Sequence, residues 1–106
     1  MAMLASPIEL LDIPPEEPTE FRVLRYEMGE INIIPRGSPA GKVVPAIRIH
    51  VPREDKPVGA PYWDVTAGNL IATLRPILGS LVASRRLIRV TKHGIPPAAR
   101  HQVDLL

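Results

Sequence analysis

The tetrapeptide Pro61-Tyr62-Trp63-Asp64 gathers two of the chain's four aromatic residues beside a carboxylate. Trp and Tyr are preferred anchors in protein interfaces, which makes Tyr62 and Trp63 candidate contact residues. The competing role sets Trp63 over a hydrophobic core and makes Asp64 the N-cap of a following helix. An enzyme would use Asp64 paired with a histidine, but nothing in the sequence supplies a nucleophile or an oxyanion-binding group beside it. No residue is therefore assigned a catalytic role.

The imidazoles are His50, His93 and His101. Three histidines could hold a metal if a sheet gathered them, yet the strand pairing derived below sends His93 and His101 to opposite faces. They read as surface strand residues, and no metal is expected. The absence of cysteine excludes disulfides, thiolate metal ligands and thiol nucleophiles. Between Gly37 and Gly41 stand three residues where a phosphate-binding loop has four, and Val43 occupies the required Ser/Thr position. Gly79-Ser80 lacks the nucleophile-elbow pattern. There is no dinucleotide fingerprint and no paired-histidine zinc helix, so no cofactor is expected.

A basic stretch is the remaining candidate. Arg85, Arg86, Arg89, Lys92 and Arg100, with His93 and His101, run without an intervening acid. Such a stretch suits an anionic partner, nucleic acid or an acidic protein surface. It also suits a solvated sheet face. Charge is unevenly spread: residues 1–30 carry seven acids and two bases, whereas residues 31–106 carry eleven bases and four acids. This describes an acidic arm on a basic body. Scarce aromatics weaken any scheme that needs base-stacking platforms.

The elements that must position these residues follow from periodicity. The length of 106 residues suits one domain able to bury a core. Thirteen prolines limit helix content and fix loops. Residues 1–20 read as an acidic, proline-rich N-terminal arm, and 21–106 as a single α+β domain. Within the arm, Ile8 to Ile13 is apolar enough to dock, as one helical turn or as an edge strand. A strand is expected over Phe21 to Glu27, with Ile31 to Ile34 as a second run or its bulged continuation. Residues 35–41 form a loop.

The next strand spans Lys42 to Val51, where Ile47, Ile49 and Val51 alternate with Arg48 and His50 in the pattern of a half-solvated antiparallel strand. Pro45 makes its first half an edge or a bulge. The loop from Pro52 to Pro61 carries Arg53 to Lys56 as a solvated charge cluster. A main helix is expected over about 65–83, capped by Asp64 or Thr66 and kinked at Pro76 or broken there into two abutting helices. Leu70, Ile71, Leu74, Ile77, Leu78, Leu81 and Val82 form its apolar stripe, and Ala72, Gly79 and Ala83 allow close approach to a sheet.

Two last strands, Arg85 to His93 and Arg100 to Leu106, form a hairpin. Setting His93 against Arg100 puts Arg89 opposite Asp104, and Ile88 and Val90 opposite Leu105 and Val103. That register gathers the aliphatic residues on one face and an opposite-charge pair on the other, and a one-residue slip mixes the faces.

The expected fold is thus α+β: a small, mostly antiparallel sheet of four to five strands with one main Pro-kinked helix packed on one face. The expected function is a small non-catalytic interaction module, an accessory or assembly subunit, with a protein partner or itself in a homodimer paired through exposed sheet edges. The alternative is a nucleic-acid-binding protein using the basic C-terminal hairpin. The first residues lack a signal-peptide pattern, and the Val65–Ala83 segment carries Arg75, Asn69 and Pro76. A soluble cytoplasmic protein without membrane contact is the corresponding expectation.

Overall fold

The computed structural model describes residues 3–5, 7–33, 41–94 and 99–106. The 35–41 loop of the sequence reading lies outside the described residues except for Gly41, as does most of the hairpin loop. The strands are β1 (Thr19–Phe21), β2 (Arg25–Ile33), β3 (Lys42–His50), β4 (Tyr62–Val65), β5 (Ile88–His93) and β6 (Arg100–Leu105). The helices are α1 (Gly68–Leu74) and α2 (Leu78–Ser84). The α+β class holds, but the single sheet becomes two antiparallel three-stranded sheets, ordered β2-β3-β4 and β1-β5-β6.

The two sheets share one core. Ile47, Ile49 and Val65 from the first meet Phe21, Ile88 and Val90 from the second, together with Leu70, Leu74, Leu78 and Leu81 from the helices. The helical stripe read from the sequence is the face that is buried. The helix itself is two short helices, because Pro76 has no amide to bond back to Ala72 and its ring crowds that carbonyl. Arg75 caps α1, and the amide of Ile77 reaches Leu74 O at 2.9 Å before α2 begins. Ala72, Gly79 and Ala83 face solvent instead of a sheet.

Asp64 is not the helix cap. It lies within β4, and the N-cap of α1 is Ala67, whose side chain makes no capping bond. The strand expected over Phe21–Glu27 divides, because the chain leaves one sheet at Phe21 and enters the other at Arg25. From there β2 runs unbroken through Gly29, which packs opposite Ala46. Pro45 lies where β3 has only β2 beside it, since β4 ends with Val65 opposite Ile47. A residue without an amide donor is tolerated there.

The β5–β6 register is the one derived from the hydrophobic pattern: Ile88 faces Leu105, Arg89 faces Asp104, Val90 faces Val103 and His93 faces Arg100. Ile88 and Val90 are buried and Val103 packs on the core, whereas Leu105 remains 47% exposed.

Residues 3–5 and 7–11 lie across the β2-β3-β4 sheet as a strap. The Leu4 amide donates to Glu30 O on β2, and the Arg48 guanidinium and Tyr62 hydroxyl both donate to Pro7 O. Glu9 and Leu11 then pair with Asp64 along the edge of β4. Of the two conformations open to residues 8–13, the extended edge is the one adopted. Ile13 enters the core, 2% exposed, and Pro15 bridges to Lys92 on β5.

Candidate interaction surface

Sequence alternation puts Arg48 on the solvated face of β3, but the strap covers that face and Arg48 is only 4% exposed. Its Nε donates to Asp64 Oδ1 at 2.7 Å and one terminal nitrogen to Asp64 Oδ2 at 3.1 Å. Asp64, fully buried, also accepts the Glu9 amide at 3.0 Å. The guanidinium carbon lies 4.1 Å from the centre of the Tyr62 ring. Hydrogen bonding to Asp64 raises the Arg48 pKa above its ordinary value, against the opposing effect of burial. Among the described residues no fully buried side-chain polar atom lacks a partner, which is the condition for a buried ion pair to be tolerated.

Tyr62 and Trp63 are committed to the protein's own packing. Tyr62 belongs to the network just described, and the Trp63 ring tilts against Phe21 with centroids 5.2 Å apart. Neighbouring Lys56, expected in a solvated cluster, is buried: its ammonium donates to Val58 O at 2.9 Å and lies 3.8 Å from Glu9. Asp55 pairs with Arg22. Gly59 holds φ +79°, which other residues adopt only with strain, and a Cβ there would come 2.6 Å from Glu9 Oε1 and displace that carboxylate. Glu9 thus ties the strap to the 52–61 loop, also accepting the Ala60 amide at 2.8 Å.

The basic stretch is not gathered on one surface. Arg89 projects from the outer face of β5 and pairs with Glu20 at 2.8 Å. His93, on that face, meets Glu16 at 3.0 Å and Gln102 at 2.8 Å, and the Glu16 hydrogen bond raises its pKa above the usual histidine range. The acidic arm therefore neutralises part of the basic body. His101 is on the opposite face against Asn69 of α1, where burial first and Lys92 second lower its pKa. Arg85 and Arg86 sit at the exit of α2, with their Nε atoms bonded to the Val82 and Leu106 carbonyls. Arg85 holds a left-handed conformation there, φ 55°. Arg100 is exposed and has no carboxylate partner among the described residues. The three histidines lie apart, and no group of side chains suited to a metal ion occurs among the described residues.

What remains available is backbone. The outer edge of β4 is covered by Glu9 and Leu11. On the outer edge of β2, Met3 and Leu4 engage Glu30, while Arg25 to Gly29 pair only with β3 among the described residues. β1 has three residues. All six residues of β6 pair only with β5 among the described residues. Its peptides alternate in direction, and the bond from the Leu106 amide to Leu87 O, 2.9 Å, sets the phase. Arg100, Gln102 and Asp104 turn their backbone groups to β5, so those of His101 and Val103 point outward. Beside this edge lie exposed Leu105 and Leu106 and an open groove in which Ile77, Leu81, Ala83 and Leu105 are joined by Ser80, Ser84 and Arg86.

Comparison with known proteins yields no matching family model, no matching curated protein and no matching solved structure. Among the described residues, no helix is long and apolar enough to cross a membrane.

Proposed function

We propose that the protein is a small non-catalytic interaction module of the cytoplasm that receives an extended chain along β6. The observation supporting this reading is the edge of β6, six residues long and unpaired among the described residues, with the His101 and Val103 peptides directed outward. Main-chain hydrogen bonds supply affinity in strand addition, and alternate side chains supply selectivity. Elsewhere the buried polar groups are consumed by internal partners, as in the Arg48–Asp64 pair.

Selection from a displayed library of extended peptides tests the proposal. Retained sequences should be strand-forming, should shift the amide resonances of His101 and Val103, and should be lost on His101→Pro, which removes an outward donor while leaving the β5 ladder intact. Selected peptides that bind the His101→Pro variant equally well would reject β6 as the site. Duplex DNA bound near about 50 mM salt and lost on joint Arg85→Glu and Arg86→Glu substitution would replace this reading with the nucleic-acid one.

A further inference from the structure

We infer that the partner of β6 is a second copy of this chain, paired antiparallel about a two-fold axis through Gln102, with Arg100 of each copy against Asp104 of the other. This rests on the reading of β6 as an interaction edge.

Arg100, Gln102 and Asp104 lie on one face of β6, two residues apart. A two-fold axis at Gln102 sets the two Gln102 residues opposite each other and both charges opposite their complements. An axis at His101 instead puts Arg100 against Gln102, and an axis at Val103 puts Asp104 against Gln102; each leaves the charges unmatched. The backbone phase agrees independently. His101 and Val103, whose peptides point outward, become mutual partners and exchange both hydrogen bonds, twice by symmetry. Arg100 and Asp104 then form non-hydrogen-bonded pairs, the kind in which side chains come closest.

The charges are also available. Asp104 is opposite Arg89 within the hairpin, but Arg89 turns to Glu20, and among the described residues Asp104 accepts from Gln102 Nε2 alone, at 2.9 and 3.0 Å. On the other face, Leu105, 47% exposed, comes beside Ala99 of the second copy. The product is a continuous six-stranded sheet in which neither β6 edge stays open, a closed isologous assembly.

Sedimentation equilibrium over a concentration series tests this. The parent should show a reversible monomer–dimer equilibrium. Arg100→Asp and Asp104→Arg each place like charges opposite one another twice, and each should weaken self-association by roughly tenfold or more. Mixing the two variants should restore a dimer, because one chain then presents two acids and the other two bases at these positions. Circular dichroism establishes that each variant is folded. Unchanged self-association of the single variants, or no recovery on mixing, overturns the inference. If charge exchange has no effect but His101→Pro abolishes association, the edge is used in another register: the inference falls and the proposed function stands. A parent that is monomeric at every concentration also overturns the inference, and the peptide selection then decides the proposed function alone.

Discussion

The β2-β3-β4 sheet and the β1-β5-β6 sheet both carry an arginine opposite an aspartate on the neighbouring strand, and the two pairs have different fates. Arg48 faces Asp64 and the two close a buried ion pair. Arg89 faces Asp104 in the same kind of cross-strand position, yet its guanidinium turns to Glu20 on the other side. The difference is the cover. Residues 7–11 lie over the first sheet where Arg48 and Asp64 meet and leave both buried, whereas Arg89 on the second sheet stays in contact with water. Where water is absent, the cost of an unpaired charge forces one geometry. Where water is present, several carboxylates compete within a fraction of a kcal/mol, and nearby geometry chooses among them.

The sharpest way to break the comparison is to remove one buried charge. Asp64→Ala should cost about 3–5 kcal/mol, because it strands the Arg48 guanidinium and the Glu9 amide. Replacing both members, with Arg48→Met and Asp64→Leu, should cost much less, since no uncompensated charge remains. Urea denaturation measures both. Equal losses for the single and double variants would show that packing, not charge, dominates this site.

The shared core provides the reference scale. Leu74→Ala and Leu78→Ala, one on each side of the Pro76 break and both 0% exposed, should each cost about 2–5 kcal/mol through cavity formation. A thermal unfolding midpoint unchanged in either variant would contradict the packing of that helix.

On the solvated sheet the effects should be small. A double-mutant cycle between Arg89 and Glu20 should return a coupling of about 0.2–1 kcal/mol, and the cycle between Arg89 and Asp104 a smaller one. The reverse order would mean that the hairpin pair, and not the pair with the arm, is formed in solution.

The two faces of this same sheet should also titrate differently. Glu16 raises the His93 pKa, so its stabilising contribution is complete below the ordinary histidine range and fades as pH rises through the raised value. Burial lowers the His101 pKa, so the unfolded chain binds the proton more tightly there. Its effect therefore has the opposite sign: stability rises with pH across the histidine range, and the penalty is complete once pH falls below the depressed value. Imidazole resonances followed by NMR should give a higher midpoint for His93 than for His101. A reversed order would refute the assignment of the two side chains to their faces. The opposing slopes should separate in the pH dependence of stability of His93→Gln and His101→Gln.

Elements whose logic is local are legible without the fold. The apolar stripe from Leu70 to Val82 identifies the buried helical face, because the 3.6-residue period alone decides which side chains stack. Pro76 announces the break in the helix by its missing amide. The β5–β6 register is legible because two short alternating strands offer one pairing that keeps Ile88, Val90 and Val103 on a common face. Which strands lie at the edges of the two sheets was not legible, because it depends on how the sheets assemble.

Tertiary structure decided the rest. Tyr62–Val65 contains strand-favouring Tyr, Trp and Val, but it is only four residues long, follows a proline and holds an aspartate, so its pattern alone does not announce a strand. It becomes β4 because β3 and the strap satisfy its backbone on both sides, and because Arg48 meets the Asp64 carboxylate. Arg48 looks solvated from its alternation with Ile47 and Ile49, yet it is buried by residues some forty positions earlier, as the separation of 41 between Arg48 and Pro7 records. Periodicity reports which face a side chain is on. Only the folded chain reports whether that face meets water, and the free energy of a charge depends on the second.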